Sequence, residues 1–219
     1  MSNKDSQYLV FGFVAEIESK LLGTIAIPTP LKELCFKYYY IAEYFANHGE
    51  FIILNESRDI AWRKTKDSKQ HSTIYGHQII DPSDKFIKSY KWTLKLLAFE
   101  NKNGFFFGID SSDEEYLEDH FTSWYYNKTP FYAFTVTKYM RRNGWGSKKA
   151  NHLEFQVGDI VCLELNVKNK TFSITINDDP DNSAVHKDVT VENVTYKLAI
   201  TLTFEYHKIQ LIDYQTENY

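Results

Sequence analysis

The chain has 219 residues, of which 43% are hydrophobic, 25% charged and 16% aromatic, and a formal net charge of -4 at pH 7. That length holds one large domain with a short extension, and only 9 Gly and 5 Pro exclude collagen-like and low-complexity architectures. The acid excess, with four arginines (Arg58, Arg63, Arg141 and Arg142) among 25 basic residues, argues against a nucleic-acid partner, because phosphate contacts favour arginine.

The chain changes period near residue 50. Before it, Val10, Phe13, Val14, Ile17 and Leu21 recur at spacings of three and four, which predicts an amphipathic helix. Pro28 and Pro30 interrupt. Thr29 is a candidate N-cap with Pro30 at the first helical position. A second helix is then predicted, with Leu31, Leu34, Cys35, Tyr38, Ile41 and Phe45 on one face and Gly49 as its end. Residues 1–49 are therefore expected to be a helical extension, and 50–219 a β domain.

From residue 51 the pattern is strands. Residues 51–54 and 59–64 predict a hairpin about Asn55, Glu56 and Ser57, followed by a strand over 72–80. In 90–97, Trp92, Leu94 and Leu96 alternate with Lys91, Thr93 and Lys95. The run 104–109 is continuously apolar, as a strand buried on both faces would be, and 132–139 is an aromatic and β-branched run. Val161, Leu163, Leu165 and Val167 then alternate, as do Phe172, Ile174 and Ile176 after the turn at 168–170. Leu198, Ile200, Leu202 and Phe204 alternate with Lys197, Ala199, Thr201 and Thr203, and Ile209 and Leu211 face inward in 208–214. About ten short strands without helical crossovers predict an all-β, two-sheet antiparallel sandwich. Trp92, Phe106, Phe172 and Phe204 are expected in its core.

Gly158-Asp159-Ile160-Val161-Cys162-Leu163-Glu164-Leu165, followed by Lys170-Thr171-Phe172-Ser173-Ile174-Thr175-Ile176-Asn177, resembles the signature of the SPRY domain family. Residues 92–108 are similar to its earlier Trp, aliphatic and Phe-Gly-Ile stretch, and 196–202 to a late strand. The resemblance spans about residues 50–214. It implies a concanavalin-like jelly roll that recognises a short segment of another protein through loops on one rim, as in adaptors and scaffolds. One departure stands out: Asn177-Asp178 replaces the usual Asn-Gly, and Asp179, Pro180, Asp181 and Asn182 follow, so a longer acidic loop is expected.

No catalytic motif emerges. There is no nucleophile elbow and no phosphate loop. The carboxylates Asp113, Glu114, Glu115, Glu118 and Asp119 fit a solvated face better than a glycosidase pair, and a calcium loop starting at Asp110 lacks its Gly and Glu. The seven histidines show no ligand spacing, although His71 and His77 flank one strand; no metal and no cofactor are expected. Cys35 and Cys162 read as reduced core thiols. With no signal-like segment and no run of about 18 apolar residues, no membrane partner is expected and the location is expected to be cytoplasmic.

The aromatics carry the functional reading. Trp124, Tyr125, Tyr126, Phe131, Tyr132, Tyr139 and Trp145, with Arg141 and Arg142, fall in segments that read as loops or strand ends, and consecutive aromatics cannot all face inward. Exposed Trp, Tyr and Arg make binding hot spots; the alternative is a small local core under 121–150. By positional likeness to the family, Tyr116, Trp62, Arg63, Glu205 and Tyr206 are expected to share the same rim. The leading expectation is a non-catalytic module binding a protein or peptide. A carbohydrate-binding or glycan-cleaving sandwich is the alternative, since sugars stack on the same rings.

Overall fold

In the computed structural model the residues described are 43–64, 71–99, 105–111, 117, 130–142 and 147–218. They form fourteen strands: β1 (Phe45–His48), β2 (Ile52–Leu54), β3 (Ile60–Arg63), β4 (Ser72–Gly76), β5 (Ile87–Ala98), β6 (Phe106–Ser111), β7 (Phe131–Thr135), β8 (Tyr139–Arg142), β9 (Ser147–Lys149), β10 (Ile160–Asn166), β11 (Thr171–Ile176), β12 (Asp179–Lys187), β13 (Tyr196–Leu202) and β14 (Lys208–Asn218). The first sheet runs β1-β4-β13-β6-β7-β8-β9 and the second β12-β11-β10-β5-β14-β3-β2, with every pairing antiparallel. This is the expected two-sheet sandwich. Among the described residues no helix is long and apolar enough to cross a membrane.

The two sheets have different outer faces, and the difference explains their sequence patterns. Trp92, Leu94 and Leu96 of β5 and Val161, Leu163 and Leu165 of β10 point into the core, while Lys91, Thr93, Lys95 and Glu164 meet solvent. One wet face yields clean alternation. In the first sheet Phe107 and Ile109 face the core, yet Phe106, Phe131 and Ala133 on the opposite side are also buried, in a cluster of their own. Thr73, Tyr75, Ala199 and Thr201 share that buried outer face, where Tyr75 Oη donates to Asp110 Oδ2 at 2.9 Å. Burial on both faces is why 105–109 is continuously apolar.

Several expectations are corrected. The second helix does not run to Gly49: Phe45–His48 is strand β1, paired with β4, and Phe45 enters the sandwich core. The remainder of both predicted helices lies outside the described residues. The run 132–139 is two strands, separated by a turn in which Lys138 takes a left-handed φ of 68°. Phe106 is buried, but on the outer face, and Phe204 is only half-buried in the β13–β14 turn.

The acidic loop after Asn177 is instead a two-residue turn, because Asn177 (φ 54°) and Asp178 (φ 56°) both tolerate the left-handed region and Asp179 already pairs with Ile176. The signature residues around it form a clasp. Asn177 Nδ2 donates to Asp159 Oδ1 at 2.7 Å, and Ile160 N donates to Asn177 Oδ1 at 2.9 Å. Gly158, at φ 100°, donates its N–H to Leu96 O at 2.7 Å. The Gly-Asp and the distant Asn thus join β5, β10 and β11 at one end of the sandwich.

Candidate functional site

Strand register sorts the connections between two ends. The turns at 136–138, 177–178 and 203–207 lie at one end, with the close of β3; the connections 77–86, 167–170 and 188–195 lie at the other. The first end carries the candidate rim.

Alternation along β3 sends Ala61 and Arg63 inward and Ile60 and Trp62 outward. Trp62 is half-buried, with Lys208 Nζ 5.3 Å from its ring centroid across the β3–β14 pair, a cation–π contact. Arg63, only 1% exposed, is not a rim residue as expected but lies beneath the rim. It sits where β3 ends and the core opens: Arg63 Nη1 donates to Leu202 O at 3.0 Å, Arg63 N donates to His207 O at 3.2 Å, and its guanidinium packs 5.2 Å over the Phe51 ring. Both sides of the β13–β14 turn are therefore held by one arginine.

His207 closes the turn from within. The imidazole is fully buried against Phe105 and Phe204, with centroids at 4.7 and 5.3 Å. Its Nδ1 accepts from Thr203 N at 3.3 Å and Phe204 N at 3.4 Å, so the ring carries its proton on Nε2. On this support stand Glu205, half-buried, and Tyr206, 52% exposed. Nothing in the alternation of 196–204 foretold the support, since His207 and Arg63 carry no spacing relation to one another.

A second line of contacts leaves the rim across the outer face of the first sheet. Thr203 Oγ1 bonds His71 Nδ1 at 2.6 Å, and His71 meets Phe106 edge to face at 5.9 Å. Arg141 lies 5.9 Å over Phe106 and 5.9 Å over Tyr139. Arg141 is thereby linked to the rim, whereas Arg142, the next residue on β8, lines a cleft toward β12. The two neighbouring arginines serve different surfaces. Thr73 N donates to Leu117 O at 2.9 Å, which brings that residue of the β6–β7 connection to the start of β4. Tyr116, Trp124, Tyr125, Tyr126 and Trp145 lie outside the described residues.

Elsewhere the titratable groups serve the fold. Glu43 Oε1 accepts from His77 N at 2.5 Å and Gln78 N at 3.1 Å, and Trp92 Nε1 donates to Oε2 at 3.4 Å; burial outweighs these bonds and pushes the carboxyl up to about 7. His71 and His77 stand at opposite ends of β4, and His77 stacks on Tyr44 at 4.4 Å, so the two do not converge. Among the described residues no three His, Cys, Asp or Glu side chains gather as a metal site. Cys162 is a buried free thiol whose pKa is raised by burial.

No family model matches the chain, and no curated protein matches it. Solved structures do. The chain is similar to the SPRY domain of human HERC1 (12% identity, TM-score 0.52, 75% of this chain and 93% of that one). It is similar to the TRIM65 PSpry domain (9% identity, TM-score 0.55, 86% and 99%) and to a human SPRY domain (9%, 0.52, 76% and 96%). At such identities the likeness establishes the fold, which is that of SPRY domains.

Proposed function

We propose that this chain is a non-catalytic interaction module that recognises a short segment of a partner protein through the rim formed by the end of β3 and the β13–β14 turn. The SPRY fold of its structural neighbours supports a protein-binding role. The observation that carries the reading is the mounting of the exposed aromatics. Tyr206 and Trp62 stand on backbone held by buried Arg63 and His207. Rigid, partly exposed Tyr and Trp are the anchors of protein interfaces, because they bury large area at small entropic cost. Glu205 beside them and Lys208 over Trp62 supply polar selectivity.

Trp124, Tyr125, Tyr126, Tyr116, Trp145 and Arg141 belong to the same proposal as further anchors. The role is that of an adaptor or scaffold acting in the cytoplasm, in keeping with Cys162 as a buried free thiol.

The test is affinity capture from cell lysate with the wild-type chain and a Trp62→Ala, Tyr206→Ala variant, both first shown to share one thermal transition. A protein retained by the wild type and lost with the variant is the expected result. Glycans eluting in place of protein would contradict the proposal in favour of a lectin.

A further inference from the structure

The outer strands β9 and β12 each end their sheet, and the described residues leave a gap between them. There a cleft of about 390 Å³ is lined by Arg142 and Lys148 from β8 and β9, by Val185, His186, Lys187 and Asp188 at the end of β12, and by Met140. Arg142, Lys148 and Lys187 are exposed, and among the described residues none of them forms an ion pair. Three cations thus face one carboxylate, that of Asp188. His186 adds no charge: its Nε2 bonds Ala133 O at 3.1 Å and burial pushes its pKa down to about 4.

The edge of β12 is partly covered and partly free. The Ser183 carbonyl accepts from His152 Nε2, and Asn182 exchanges bonds with the backbone of Glu154, so the β9–β10 connection caps that part of the strand. Because the Ser183 carbonyl points away from β11, the two-residue repeat turns the main-chain groups of Val185 and Lys187 the same way. Val185, 43% exposed, and Lys187 project their side chains on one face, an apolar and a cationic position two residues apart.

We propose that this cleft is a second binding site, which takes an extended acidic segment of a partner protein along the open edge of β12. Strand addition satisfies the edge groups, the segment's carboxylates meet Arg142, Lys148 and Lys187, and a small apolar side chain covers Val185. The site does not rest on the rim reading, and its assay involves no rim residue.

The experiment measures the anisotropy of a short fluorescein-labelled peptide repeating Glu-Glu-Val-Glu, which sets a glutamate and a valine two residues apart on one face, with the Gln-Gln-Val-Gln peptide as control. The glutamate peptide should bind and weaken as salt rises. Arg142→Gln and Lys187→Gln should each weaken it about three- to tenfold, and Asp188→Asn should strengthen it by a small factor. No binding, equal binding of both peptides, or affinities unmoved by the charge variants would overturn the site. So would equal competition by a single-stranded oligonucleotide, which would mark a general polyanion surface. All substituted positions are exposed, and thermal transitions verify folding.

Discussion

Gly108 shows how little room the outer face of the first sheet leaves. A Cβ there would stand 2.4 Å from Tyr132 O and 2.9 Å from Ala133 Cβ, on a neighbouring backbone that cannot give way. Gly108→Ala is expected to destabilise the domain by roughly 2–3 kcal/mol in chemical denaturation, although alanine normally stabilises a strand relative to glycine; a neutral result would contradict this packing. Glu43 and His186 make opposing contributions to the pH dependence of stability. The Glu43 carboxyl is raised from 4.5 to about 7, so the folded state holds the extra proton and stability falls as pH rises through that window, by roughly 3 kcal/mol at most. His186 is lowered from 6.5 to about 4, so the unfolded state holds the extra proton and stability falls as pH drops through that window, by a similar amount. Their slopes oppose one another between about pH 4.5 and 6.5. Glu43→Gln should therefore gain stability on the wild type progressively from pH 4.5 to 7; a difference independent of pH, in urea midpoints, would remove Glu43 from this role.

Among the elements, the β11–β12 hairpin tests the clasp. Both its turn residues take left-handed φ, which asparagine tolerates better than aspartate and glycine best of all. Asp178→Gly should raise stability by about 0.5–1 kcal/mol, whereas Asn177→Ala should lower it by about 1–3 kcal/mol, because Ile160 N loses its acceptor and Asp159 its donor. Scanning calorimetry separates the two signs, and a stabilising Asn177→Ala would contradict the clasp. The second sheet was legible in the sequence because Lys91, Thr93 and Lys95 stay wet and mark the period. β12 was not: its residues Asp-Pro-Asp-Asn carry turn chemistry, and the strand forms there because the Asn177–Asp178 turn delivers it to β11. The division of 132–139 into β7 and β8 was masked by continuous apolar burial across a turn that Lys138 takes at positive φ. β1 was hidden by its helical spacing, since Phe45 satisfies a helix face and a strand's inward position alike.

For the molecule as a whole, the sandwich class and the SPRY likeness followed from ordered motifs, while the candidate site was legible only in part. Trp62, Glu205 and Tyr206 were expected at one rim from family position, and all three lie at the end of the sandwich where β3 closes and β13 turns into β14. The burial of Arg63 was not legible, because an arginine at a strand end carries no signal of the carbonyls, Leu202 O and His207 O, that draw in its side chain and backbone. Arg63→Gln should loosen the 203–207 turn, lowering partner affinity more than Arg142→Gln does in the same binding titration; equal losses would contradict the distinction between rim and cleft. The central claim is that a preformed rim at one end of the sandwich receives the partner. Its most direct test is hydrogen–deuterium exchange of the chain with and without the captured partner protein. Protection concentrated in residues 203–208 and at the end of β3 is predicted. Protection absent there, with the exposed outer face of the second sheet protected instead, would contradict it.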